Sequence, residues 1–269
     1  MSALHAAFSR ARAEGRAALI GYLPSGFPGQ AEGIELATAM VASGVDIVEI
    51  GLPYSDPLMD GPTIQAAVHR ALTNGSTVGR VLDTVAAVAA TGAPTLVMSY
   101  WNPIERIGPE AFAARLAAAG GVGAITPDLT PEEAGDWRAA TDAHGVDRVF
   151  LVAPSSTDER IAAVARATTG FVYAASTMGV TGARGAVGSA ARGLVARVRA
   201  VSDLPVAVGL GVSTGAQAAE VAGYADGVIV GSAFISRVLA APDQAGAVAA
   251  VRDLATELAA GVRDAQRYL

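Results

Sequence analysis

Eight short apolar runs, each followed by a polar or Gly/Pro loop and then an Ala-rich amphipathic stretch, predict an α/β fold: a (β/α)8 barrel with an extra N-terminal helix. Three observations carry that expectation. The alternation itself builds βα units around a parallel sheet. Glycines recur just before the apolar runs, where helices end. Eight units in a chain of 269 residues match one closed barrel. An open doubly wound sheet is the alternative, but it usually has fewer strands and a glycine fingerprint after the first. Here the first run is followed by Gly-Tyr-Leu-Pro-Ser-Gly-Phe, which is not that fingerprint. No linker and no low-complexity tract interrupts the pattern, so residues 1–269 read as a single barrel domain.

Taken in order, residues 1–16 alternate Ala and Leu with Arg10, Arg12 and Arg16 and read as an amphipathic first helix. They lack the apolar stretch of a secretory signal, and Glu14 argues against an organelle transit peptide. The apolar runs are 18–23, 45–50, 95–99, 123–125, 148–152, 171–174, 205–209 and 227–230. They are short and apolar on both faces, as strands covered on both sides must be. In 31–42, the residues Ile34, Leu36, Ala37, Met40 and Val41 fall mostly on one side of a helix, and in 109–119 Phe112 and Leu116 do the same. Pro62 opens a helix, with Thr63 and Gln65 following. Gly44, Gly92, Gly120, Gly145, Gly170 and Gly223 are expected to be left-handed helix caps.

Composition narrows the chemistry. Hydrophobic residues make up 52% and charged residues 16%, enough for a core and against disorder. A net charge of −6 with no basic run argues against nucleic acid or an anionic membrane as partner. No apolar run approaches the roughly 20 residues needed to span a bilayer, and the cytoplasm is the default compartment. There is no Cys, and all 19 basic residues are Arg. Without Lys there is no enzyme-bound Schiff base, hence no covalent pyridoxal phosphate in this chain and no Lys-dependent aldolase chemistry. His5, His69 and His144 are scattered and read as surface or helix residues, so no metal site is expected.

In such barrels the loops after the strands build the active site. The loop after the second run, Glu49-Ile50-Gly51-Leu52-Pro53-Tyr54-Ser55-Asp56-Pro57-Leu58-Met59-Asp60-Gly61-Pro62, is the most informative segment. Strand side chains alternate, so if Val48 and Ile50 pack on the helices, Glu49 points into the barrel near its top. Desolvation there raises a carboxyl pKa and suits it to hold and release a proton near neutral pH. A buried Glu–Arg pair is the structural alternative, and no Arg lies nearby in sequence. Asp60, next to Gly61, is either a turn residue or a second carboxylate that divides electrostatic stabilisation from proton transfer. Three Gly-rich segments follow the late runs: 176–185, 209–213 and 231–233. Their backbone N–H groups suit phosphate, and Ser232 opens a helix that it would cap at its positive end. Residues 176–193 read as a mobile lid, which Thr181 would order by bonding a carboxylate below.

These residues resemble the alpha subunits of tryptophan synthase. The Glu49–Pro62 motif matches the family's signature almost residue by residue. Tyr100-Trp101-Asn102-Pro103, Thr126-Pro127-Asp128-Leu129, Gly179-Val180-Thr181-Gly182 and Gly231-Ser232 match further segments in order, so the resemblance spans essentially the whole chain. It implies cleavage of indole-3-glycerol phosphate to indole and glyceraldehyde 3-phosphate. It also implies Glu49 as the proton-transfer residue and Asp60 as the carboxylate receiving the indole N–H. Gly182, Gly211, Gly231 and Ser232 carry over as phosphate contacts, and Tyr22, Tyr100, Tyr173, Thr181 and Leu210 as pocket and lid residues. Tyr22 and Leu210 stand where better-known members carry Phe, and Tyr54 and Met59 replace the common Phe and Ala. The implied partner is a beta subunit that carries pyridoxal phosphate, in an alpha2-beta2 heterotetramer, with Trp101, Pro103 and Ile104 expected as an apolar docking patch. A stand-alone lyase releasing free indole, and a non-catalytic phosphate-binding partner, are the alternatives.

Overall fold

The computed structural model describes residues 2–175, 184–209 and 211–265. The chain runs α1 (Ala3–Ala13), β1 (Ala18–Pro24), α2 (Gln30–Ala42), β2 (Ile47–Gly51), α3 (Pro62–Thr73), α4 (Val78–Ala89), β3 (Thr95–Met98), α5 (Trp101–Ile107), α6 (Pro109–Ala118), β4 (Gly123–Ile125), α7 (Gly135–His144), β5 (Asp147–Val149) and β6 (Leu151–Val152). It continues α8 (Asp158–Ala167), β7 (Val172–Ala175), α9 (Arg184–Arg199), β8 (Val206–Gly209), α10 (Gly215–Ala222), β9 (Gly227–Val230), α11 (Ser232–Ala240) and α12 (Gln244–Arg263).

All pairings are parallel, in the order β5-β4-β3-β2-β1-β9-β8-β7-β6. The two ends of this sheet are β5 and β6, which are halves of one apolar run interrupted at Phe150. The carbonyl of Val149 accepts from the Thr126 N–H at 3.4 Å on one side, and that of Phe150 accepts from the Tyr173 N–H at 3.1 Å on the other. The chain itself therefore closes the cylinder, and the nine strand segments act as the eight staves of a (β/α)8 barrel.

Alternation sorts the side chains into two packed layers. Ala18, Ile20, Ile47, Leu96, Val149, Phe171 and Ile229 fill the interior together with Leu4, Ala7, Phe8 and Ala11 of α1. That helix plugs the end where the strands begin: the Phe8 and Phe171 rings lie 5.5 Å apart. Val48, Ile50, Val97, Val172, Val208 and Val228 face outward into the larger core shared with the helices. The charges at the strand starts are paired. Arg16 donates to both Asp46 oxygens at 2.6 and 2.8 Å, and Asp46 also accepts from the Leu19 N–H at 2.8 Å. These bonds satisfy a buried guanidinium that would otherwise be costly.

Some expectations shift. Gly44, Gly92, Gly120 and Gly145 have φ of +107°, +89°, +79° and +64°, as left-handed caps require. Gly170 and Gly223 do not. Gly223 stays right-handed at φ −64°, and Gly170 is a packing glycine, since a Cβ there would sit 3.0 Å from Leu4 Cδ1. The lid read into 176–193 is corrected in its second half, because α9 begins at Arg184; residues 176–183 lie outside the described residues. Pro62 is the first residue of α3, as its fixed φ favours.

Candidate active site

Glu49 follows Ile47 on the inward face of β2, one side-chain step closer to the C-terminal mouth. It is 1% exposed. Neither carboxyl oxygen meets a hydrogen-bond partner among the described residues, and no described Arg pairs with it. Burial alone pushes its pKa up to about 8. Tyr22 stands opposite it in the β1–β2 register. On β7, Tyr173 follows Phe171 on the inward face. Burial raises both phenols, and the Asp60 and Glu49 carboxylates raise them further, which places these four groups in one electrostatic environment.

Glycines make the room. A Cβ on Gly51 would lie 2.4 Å from Tyr22 Oη, one on Gly209 would lie 2.6 Å from Tyr173 Oη, and one on Gly231 would lie 3.0 Å from Tyr22 Cδ1. The inward face at the mouth thus alternates large and absent side chains, and the tyrosines lie across the gaps.

Asp60 ends the loop after β2. Burial raises its carboxyl as well. Its backbone is held on both sides: Tyr100 Oη accepts from the Met59 N–H at 2.9 Å, and Gln65 Nε2 donates to the Asp60 carbonyl at 2.8 Å. A cleft at this mouth is lined by Tyr22, Leu52, Asp60, Val68, Met98, Ser99, Tyr100 and Pro127. Its walls are mostly apolar and aromatic, with the Ser99 hydroxyl and one carboxylate, around a space of about 10 Å³, roughly that of one water. Met98 was accessible to sequence reasoning, since it lies two residues past inward Leu96. Val68 and Pro127 come from separate elements, and only the fold brings them here.

Of the expected phosphate contacts, Gly211, Gly231 and Ser232 are among the described residues. Gly211 has φ +71°, a left-handed turn after β8. Gly231 is the N-cap of α11 and makes no side-chain cap bond, while Ser232 is the first helical residue. Ser232 therefore does not cap the helix, contrary to expectation. The first N–H groups of α11 have no intrahelical acceptor, as at every helix start. Thr181, Gly182 and Leu210 lie outside the described residues. Among the described residues no cluster of His, Cys, Asp and Glu could hold a metal.

The docking patch after β3 is corrected at Ile104, which is fully buried; Trp101 and Pro103 stay partly exposed, and Trp101 packs edge-on against Trp137 at 5.9 Å. Exposed apolar surface instead sits on the loop before Asp60, where Leu58 is 92% and Met59 55% exposed.

A βα barrel with a buried carboxyl at its mouth that has no partner among the described residues, and a second carboxylate on the loop after the same strand, is the arrangement of a barrel enzyme. The family model described as tryptophan synthase alpha chain matches residues 8–263. The chain belongs to that family. It is 63% identical over 270 residues to the tryptophan synthase alpha chain of Thermobifida fusca, covering 99% of this chain and 100% of the relative. It is 61% identical to that of Mycobacteroides abscessus, over 96% of each. Among solved structures, Mycobacterium tuberculosis tryptophan synthase superposes with a TM-score of 0.90 at 56% identity, covering 97% of this chain and 98% of that one. A tryptophan synthase subunit alpha from Legionella pneumophila gives 0.88 at 31% identity, covering 97% and 98%.

Proposed function

We propose that this chain is the carbon–carbon lyase that cleaves indole-3-glycerol phosphate to indole and glyceraldehyde 3-phosphate in tryptophan biosynthesis. The observation that carries the reading is Glu49, a buried carboxyl at the barrel mouth with no partner among the described residues.

A retro-aldol cleavage needs an electron sink, and with no Lys the chain cannot make an iminium. The substrate supplies its own. With its pKa near 8, Glu49 is protonated at neutral pH and gives its proton to indole C3. The ring becomes an indolenine with C=N⁺ at the ring nitrogen. The Glu49 carboxylate then takes the proton of the adjacent glycerol hydroxyl. The C–C bond breaks, its electrons return to the ring, and the aldehyde forms as Glu49 regains its proton. Asp60 faces the ring N–H and stabilises the charge that develops there. Tyr22, Tyr100, Tyr173 and Leu210 frame the ring. The N–H groups around Gly182, Gly211, Gly231 and Ser232 hold the phosphate, with α11 contributing the positive end of its dipole. Thr181 is assigned to the lid on the resemblance alone.

The chain needs no cofactor of its own and acts with a beta subunit that consumes the indole. We assign pyridoxal phosphate to that subunit, an alpha2-beta2 assembly to the pair, the cytoplasm as compartment and residues 1–269 as one domain. No helix among the described residues is long and apolar enough to cross a membrane.

The test is indole release from indole-3-glycerol phosphate by the purified chain, alone and with a beta subunit. Glu49→Gln should lower turnover by at least about a thousandfold, towards the upper range for general acid–base groups, while the fold survives. Normal turnover by that variant refutes the assignment.

A further inference from the structure

The loop between β2 and α3 holds no helix or strand, yet it carries Asp60, the residue assigned above to meet the substrate ring. Something other than regular structure must fix that carboxylate. We propose that the Tyr100 hydroxyl, braced by Tyr54, is a positioning group that sets Asp60 against the substrate.

Tyr100 is a suitable post because its own backbone is anchored. It is the N-cap residue of α5. Its carbonyl accepts from Ser99 Oγ at 2.7 Å, and the next N–H, of Trp101, donates to Asp128 Oδ1 at 2.8 Å. From this post the phenol oxygen accepts the Met59 N–H at 2.9 Å, one residue before Asp60. A phenol that accepts one bond retains its own proton; burial first, and the nearby Asp60 carboxylate after it, keep that proton in place. The other end of the loop is tied to the same post. The Tyr54 ring lies 5.4 Å from the Tyr100 ring, tilted by 35°. Tyr54 Oη accepts from Asn102 Nδ2 at 3.0 Å. Thus residues 54 and 59, the two positions where this loop departs from the common Phe and Ala, meet residues 102 and 100 of one neighbouring segment. A Phe at 54 would keep the ring contact and lose the bond to Asn102.

Small displacements of a positioned group cost much: about 1 Å is worth up to a hundredfold in rate. Tyr100→Phe keeps the ring and removes only the hydroxyl. It should lower kcat for indole release 10- to 100-fold and leave KM within about threefold. Tyr54→Phe should act in the same direction by about two- to fivefold.

The proposal rests on the role given to Asp60 above, so the deciding experiment is a double-mutant cycle in single turnover with enzyme in excess. Tyr100→Phe should cost less than about twofold on an Asp60→Asn background, because its only route is then gone. Hydrogen exchange at the Met59 amide should accelerate in Tyr100→Phe and keep its rate in Asp60→Asn. Full activity of Tyr100→Phe, an undiminished penalty on the Asp60→Asn background, or unchanged Met59 exchange would each overturn the positioning role while leaving Asp60's role intact. Full activity of Asp60→Asn would instead remove the role of Asp60 itself, and this proposal with it.

Discussion

Glu49 combines burial with unmatched carboxyl oxygens, and each has a consequence that can be measured. Its pKa is about 8 in the folded chain against an ordinary value of 4.5. Below the lower value the group is protonated whether folded or unfolded. As pH rises, the unfolded chain ionises first, so unfolding releases a proton and stability declines until about pH 8. Gln at 49 does not titrate. Denaturant midpoints should therefore show Glu49→Gln gaining on the parent by about 3 kcal/mol between pH 5 and pH 8. No pH-dependent gain would mean that the carboxyl is solvated or paired. The same proton sets activity: kcat/KM should fall above about pH 8 as Glu49 loses the proton destined for indole C3. A profile flat to pH 10 would refute that protonation state. The site thus keeps a group that weakens the fold at working pH because the chemistry needs it.

Among the elements, the inward ends of the strands decide the shape of the pocket. β8 ends at Gly209, over which the Tyr173 ring of β7 lies. Gly209→Ala would place a methyl 2.6 Å from Tyr173 Oη but 3.0 Å and 3.1 Å from the nearest ring carbons. The phenol must swing, at a cost of about 1–3 kcal/mol, and turnover should fall about tenfold or more as the ring leaves its place. Adding Tyr173→Phe removes the atom in closest contact and should restore most of the lost stability. Equal stability of Gly209→Ala and the parent would show that the mouth is looser than its geometry indicates. At the opposite end, α1 fills the barrel with Leu4 and Phe8, so the site and its seal share one inner column of side chains.

At the scale of the whole molecule, the exposed apolar surface beside the mouth sits on the Asp60 loop rather than after β3. Leu58 is 92% exposed, and burying it against a partner is worth about 1.5–3 kcal/mol. Leu58→Asp should raise the beta-subunit concentration needed to stimulate cleavage about 10- to 100-fold. The unfolding midpoint should not move, since the side chain touches little in the isolated chain. Unaltered stimulation would place the partner elsewhere. A contact there reaches Asp60 through the Met59 amide and Tyr100, a short path from partner surface to reacting ring.

How much of this was legible in the residues follows from the range of the forces involved. Alternation on β2 is a local property, so the inward aim of Glu49 and the outward aim of Val48 and Ile50 could be read directly. Pro62 at a helix start and four of the six glycine caps were equally local. Gly170 and Gly223 were misread because a glycine before a strand serves packing as well as capping, and only the neighbour, Leu4 in the case of Gly170, tells which. Ile104 was misread because an apolar residue after a strand carries no mark of whether a helix will cover it. The residues by themselves determined the barrel, its mouth and the carboxyl buried there, since periodicity and desolvation act over a few positions. Only the tertiary structure decided that Glu49 has no partner among the described residues, that Tyr22 and Tyr173 lie across glycines, and that Tyr100 meets Met59. Those facts depend on side chains from distant segments competing for the same few ångströms.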